Sequence, residues 1–227
     1  MKKLFTVIRQ GKLDEVKQMI EKKPELVHCV SGSLPKKDHG QSPLQVAFKT
    51  GKYEIADYLI EHGADINFME AEDDDPGLRA PVLFDAIGAT ISSLCYERFA
   101  ESEIAFGFVK KLVERGADVH QLASNGYDAI NWSLSQAELL FECPSVYPQS
   151  QKAIRKQLTR ILDLLIEHGA DYITWTNRGH FPLPYPGPSN KSMYIDDFIP
   201  KDGTDIDRNK ELRAFMQEYF RSRRLQV

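Results

Sequence analysis

An apolar helical stripe closed by Gly-Ala-Asp is written three times in this chain. The copies end at Gly63, Gly116 and Gly169, at a constant spacing of 53 residues. In the first, Ile55, Ala56, Leu59 and Ile60 fall at i, i+1, i+4 and i+5, which is one face of a helix. Phe108, Val109, Leu112 and Val113 repeat the arrangement, as do Ile161, Leu162, Leu165 and Ile166. Each glycine follows the last turn, where a left-handed residue ends a helix at least steric cost. A single helix of this kind cannot hide its stripe from water. Copies stacked side by side can, and self-similarity at a fixed period is the mark of such stacks.

The stretches between the copies supply the other half of each unit. Residues 4–30 predict a first helix pair punctuated by Gly11. Here Glu15, Val16, Met19 and Ile20 lie forty residues upstream of Ile55, Ala56, Leu59 and Ile60, and Lys23-Pro24-Glu25 replaces Gly-Ala-Asp. With many polar residues and no unit before it, this pair suits a cap. Next comes Asp38-His39-Gly40-Gln41-Ser42-Pro43-Leu44-Gln45-Val46-Ala47. Gly40 permits a tight turn, Ser42 can cap a helix and Pro43 suits its first position. A second helix follows Gly51.

That block, Gly-x-Ser-Pro-Leu-x-x-Ala, then Gly, then an apolar helix, then Gly-Ala-Asp-Ile-Asn, resembles an ankyrin repeat, and the 23 residues from Gly40 to Gly63 match its pattern. The resemblance implies an all-α fold: an ankyrin-repeat solenoid of stacked helix-turn-helix pairs with a C-terminal capping helix. The expected ankyrin domain covers 1–188, in units of about 1–36, 37–70, 71–122 and 123–176 with a partial unit at 177–188, and 189–227 forms an extension and cap. An ordinary ankyrin repeat has about 33 residues. The surplus falls mostly between the two helices of the third and fourth pairs, around Ile87–Tyr96 with Glu101–Phe108, and around a loop at Cys143–Pro148. Pro184, Pro186 and Pro188 stop the tail from becoming a helix. A last amphipathic helix over about 208–224 places Leu212, Phe215, Met216, Tyr219 and Phe220 on one face, expected to cover the final repeat.

Composition excludes more than it selects. With 42% apolar and 27% charged residues the chain is ordinary globular protein, and a net charge of −4 offers nucleic acid no general attraction. Arg221, Arg223 and Arg224 lack aromatic interleaving. No segment approaches the ~18 apolar residues of a membrane span, and Arg9, Gln10 and Lys12 cut the opening apolar run too short for a signal peptide. Cys29, Cys95 and Cys143 are odd in number and far apart, which points to a reducing, cytoplasmic setting. The six histidines form no ligand pattern, and Glu72-Asp73-Asp74-Asp75 lacks the alternation of a calcium loop. No phosphate-binding glycine loop or nucleophile elbow is present, so neither a cofactor nor a metal is expected.

What the resemblance implies for function is recognition of a protein partner through the hairpin tips and the concave face made by the first helices. By alignment the contact residues are Arg9 and Gln10 in the first unit and Asp38, His39, Gln41, Lys49 and Thr50 in the second. They continue with Asp74 and Arg79 in the third and Asn125, Tyr127, Ser135 and Gln136 in the fourth. The expectation is a monomeric, non-catalytic, bacterial or phage-borne binder of regulatory or toxin-neutralising type. The competing expectation is an enzyme or small-ligand protein with a pocket lined by Asp85, Tyr96, Trp132 and Glu138 between the extended helices.

Overall fold

The computed structural model describes residues 2–32, 38–72, 78–142, 147–172 and 210–223. Among them are α1 (Lys2–Arg9), α2 (Leu13–Lys22), α3 (Pro43–Lys49), α4 (Tyr53–Glu61), α5 (Val82–Cys95), α6 (Phe99–Glu114), α7 (Ala129–Glu142), α8 (Ser150–Glu167) and α9 (Lys210–Ser222). A 3-10 turn at Pro24–His28 follows α2, and there is no strand among the described residues. The partial repeat expected at 177–188 lies outside them. The chain gathers into two compact units. Unit 1 is Met1–Thr90 with Ala100–Asp118; unit 2 is Ile91–Phe99 with Val119–Val227.

The three Gly-Ala-Asp stops adopt one geometry. Gly63, Gly116 and Gly169 have φ of +84°, +92° and +92°. In each, the glycine N–H donates to the carbonyl three residues back and the alanine N–H to the one five back, as in Ala64 N to Leu59 O at 2.9 Å, Ala117 N to Leu112 O at 2.9 Å and Ala170 N to Leu165 O at 2.9 Å. This double bond is the helix-ending motif that needs a left-handed residue. His62 and His168 precede their glycines and do the same task, with Nδ1 at 2.8 Å from Tyr58 O and 2.9 Å from Leu164 O. Their shared repeat position is therefore explained by satisfying a helix-end carbonyl.

In unit 1, α1 packs on α2 and α3, α3 on α4, and α2 on α4. Leu4, Ile8, Val16, Leu44, Phe48, Ile55 and Leu59 are completely or almost completely buried between them. The α4 and α6 stripes lie side by side. Phe108 stacks on Tyr53 at 5.8 Å and meets Phe48 edge-on at 5.5 Å. Outside this contact Lys111 bonds Asp57 and Glu61, and Arg115 bonds Glu61 at 2.7 Å.

A side chain also links one stop to the next. Asn67 accepts from Asp118 N at 2.8 Å and donates to Gly116 O at 3.4 Å, 49 residues away. His120 holds the same place in the following copy: a Cβ on Gly169 would sit 3.7 Å from its Nε2. Asn67→Ala is expected to cost about 1 kcal/mol, the usual net worth of such bonds. Urea unfolding should show this as a lower midpoint with an unchanged slope.

The third and fourth pairs are longer, as expected. α3 and α4 have 7 and 9 residues, α5 and α6 have 14 and 16, and α7 and α8 have 14 and 18. Seven extra residues lengthen a helix by ~10 Å. The tip of the α5–α6 hairpin belongs to unit 2, where Ser150 Oγ donates to Leu94 O at 2.7 Å. Phe106 and Phe141 are buried, whereas Phe99 is partly exposed. Cys143 to Val146 of the expected loop lie outside the described residues.

Within unit 2, α7 packs on α8 and on α9. The predicted stripe of α9 is buried throughout: Leu212, Phe215, Met216, Tyr219 and Phe220 are each at most 7% exposed. Phe215 meets Phe141 at 5.4 Å and Phe220 stacks on Tyr172 at 6.0 Å. The terminal helix thus covers the last helix pair, as its apolar face requires.

Candidate partner-binding surface

α1 ends in Arg9 and α3 in Lys49, and a hairpin turn precedes α3 and α7. In unit 1 the turn is closed by Ser31 N to Gln41 O at 2.8 Å and Gly40 N to Ser31 O at 3.1 Å. Gly40 has φ +74° and packs against the Glu70 side chain. Ser42 then starts α3 with a reciprocal cap: Gln45 N donates to Ser42 Oγ at 3.2 Å and Ser42 N to Gln45 Oε1 at 3.0 Å. In unit 2, Ala123 N donates to Tyr127 O at 2.8 Å, Gly126 has φ +81°, and Asp128 caps α7 through Asn131 N at 2.7 Å. Burial raises the Asp128 pKa. The two turns repeat the same backbone plan.

Ion pairing decides which side chains remain available. Arg9, at the end of α1, forks onto Asp38 through Nε to Oδ2 at 2.6 Å and Nη2 to Oδ1. Asp38 is completely buried and the Arg9 side chain is 26% exposed. Lys49 occupies the equivalent end of α3 and reaches two buried acids, Asp85 at 3.5 Å and Glu70 at 3.8 Å. Glu70 also accepts from Ala80 N at 3.0 Å and from Gln41 Nε2 at 3.4 Å, while Gln45 Nε2 donates to Ala80 O at 2.9 Å. A cation ending one inner helix therefore holds an acid of the following unit, twice in succession.

The expected contact residues divide accordingly. Gln10 and Lys49 are exposed, and Arg9, His39, Thr50, Arg79, Asn125, Ser135 and Gln136 are half-buried. Asp38, Gln41 and Tyr127 were expected at the surface, and the structure corrects this: they are 0%, 7% and 5% exposed. Asp38 and Gln41 turn inward because Arg9 and Glu70 await them there. The Tyr127 ring is buried too, and burial first, then Glu138, raises its pKa. Asp74 lies outside the described residues. Trp132, half-buried on the same inner helix as Ser135 and Gln136, has a place on this surface that alignment to polar positions missed.

Other chemistry finds little footing. No cluster of metal-binding side chains occurs among the described residues. The Cys29 and Cys95 thiols are pushed up by burial, away from the reactive thiolate. Of the residues expected to line a pocket, Asp85 is buried in unit 1; in unit 2 Tyr96 is 71% exposed, and Trp132 and Glu138 are half-buried. A cavity of about 110 Å³ in unit 1, between Val27, Ser42, Leu44, Ala64 and Phe68, is far below the ~300 Å³ of ordinary ligand sites. No described helix is long and apolar enough to cross a membrane.

Paired helices with a repeated turn, cap and stop define a helical-repeat protein. A family model of ankyrin repeats (3 copies) matches residues 2–70. The all-α ankyrin-repeat expectation is thereby borne out. No curated protein matches the chain. Ankyrin repeats generally mediate protein–protein interaction and are typically non-catalytic.

Proposed function

We propose that this protein is a non-catalytic binder of a protein partner, contacted through the hairpin tips and inner-helix ends. The observation that carries this is the ankyrin match together with polar, partly exposed helix ends on a rigid frame. In unit 1 the surface comprises Gln10, His39, Lys49, Thr50 and Arg79; in unit 2 it comprises Asn125, Trp132, Ser135 and Gln136. Helix ends fixed by caps and ion pairs lose little entropy on docking, which favours affinity. Three widely spaced cysteines support a cytoplasmic location, and the binding is read as regulatory or toxin-neutralising.

Affinity capture from the native cell, followed by calorimetry with the purified captured protein, tests the reading. Thr50→Arg and Gln136→Arg, each on a part-exposed helix end, should weaken binding at least tenfold in one or both units without changing the thermal midpoint. Unchanged affinity in both would remove the inner-face surface.

A further inference from the structure

The embrace of α9 has a chemical pattern beyond apolar cover. Glu211, in its first turn, pairs with Arg155 of α8 at 3.2 Å. At its other end Arg223 forks onto Asp163 of α8, with Nη2 to Oδ2 at 2.6 Å, and Tyr219 donates to the same carboxylate at 2.9 Å. The bond to Asp163 raises the Arg223 pKa. Between the two ends Arg155 lies over Phe141 and Phe215, at 5.0 and 5.9 Å from their centroids. The receiving face thus offers a cation to a helix N-terminus, an acid to its C-terminus, and aromatic surface between. On α9 itself the acid at the N-terminal end and the arginine at the C-terminal end have the signs that suit the helix dipole, and the receiving face pairs with those side chains.

Three features make α9 a ligand in kind. It has 13 residues, a length at which an isolated helix in water is marginal, so its order comes from docking. Its charged clamps are partly solvated: Arg155 and Glu211 side chains are 38% and 57% exposed, Arg223 and Asp163 are 32% and 34%. Thirty-seven residues, 173–209, separate it in sequence from Tyr172, so it is not joined to its groove by a short turn.

We infer that the α7–α8 face of unit 2 is a groove for an amphipathic helix, occupied in cis by α9, and that a protein partner enters it by presenting a helix of the same pattern. That pattern is an acid in the first turn, aromatic and aliphatic residues at i, i+3, i+4, i+7 and i+8, and an arginine after the last turn. Displacing the resident helix couples partner binding to release of the C-terminus. The inference rests on the reading of this chain as a protein binder, but on a different surface.

The test uses the full chain and a fluorescein-labelled peptide of residues 208–224. Phe215→Ala with Tyr219→Ala weakens the resident helix, and the labelled peptide should bind that variant at least tenfold more tightly than the wild-type chain. Adding Asp163→Lys to it should cut peptide binding at least tenfold, and a peptide carrying Arg223→Glu should recover it. Equal peptide affinity for the wild type and the double variant, with helix content retained, would overturn the proposal. If the double variant does not fold, a wild-type chain with a protease site inserted after Asn190 serves instead. After cleavage its C-terminal fragment should co-elute with the body and exchange with labelled peptide within hours; a fragment that never exchanges, or a body that unfolds on cleavage, equally defeats the idea. Gln136→Arg separates the two readings, because it should spoil inner-face binding of the captured partner and leave peptide binding unchanged.

Discussion

Replacing Arg9 by Ala is expected to lower the stability of the first helix pairs by roughly 3–5 kcal/mol, the penalty for leaving one member of a buried ion pair uncompensated. Asp38 has no exposed surface, and Arg9 satisfies both of its carboxylate oxygens. With the guanidinium gone, the carboxylate must stay charged without a partner, take up a proton, or pull the hairpin at Gly40 open to reach water. Arg9→Lys should recover only part of the loss, since an ammonium cannot match a two-pronged contact. Asp38→Asn in the Arg9→Ala background should recover more, because it removes the stranded charge itself. Urea unfolding followed by circular dichroism measures the series. A loss below about 1 kcal/mol for Arg9→Ala, the range of solvated surface pairs, would show that Asp38 reaches solvent in solution.

This pair also marks the limit of what could be read from the residues alone. The Gly-Ala-Asp stops, the Ser42 cap and the α9 stripe were legible because each is decided within about five residues, by a left-handed glycine, an N-terminal hydroxyl or a helical period. The approach of Arg9 to Asp38 spans 29 residues and depends on how one unit seats against the next. Alignment to repeat positions therefore marked both as contacts, although they are spent on each other. The same holds for Lys49: its exposed position was legible, but the two acids beneath it come from Glu70 in a long connector and Asp85 in a helix whose opening matches the motif poorly. Tyr127 was misplaced for a related reason. A tyrosine after Gly126 looks like a hairpin-tip contact, but the turn folds the ring inward.

The second large effect is one of pH. Asp85 is buried beside Lys49 and Glu70, and burial is the chief cause that lifts its pKa to about 7; Lys49 opposes this and Glu70 adds to it. One of its oxygens, Oδ2, has no hydrogen-bond donor. In the unfolded chain the group has its ordinary value of 3.8, so between that value and about 7 the folded protein binds the extra proton. Stability from this group is therefore fully present below about pH 4 and is lost as pH rises to about 7, a change on the order of 4 kcal/mol at ~1.4 kcal/mol per pKa unit. This runs opposite to the usual carboxylate that is stabilised when charged. Asp85→Asn, which cannot ionise, should remove that slope and be more stable than the wild type at pH 8, while differing little at pH 4. Lys49→Met should do the reverse at pH 8, since it takes away the cation that tolerates the charged form. Chemical unfolding from pH 4 to 8 supplies the curves. A wild-type profile that rises or stays level across that interval, or one that Asp85→Asn leaves unaltered, would mean that Asp85 is hydrated and ionises as an ordinary acid.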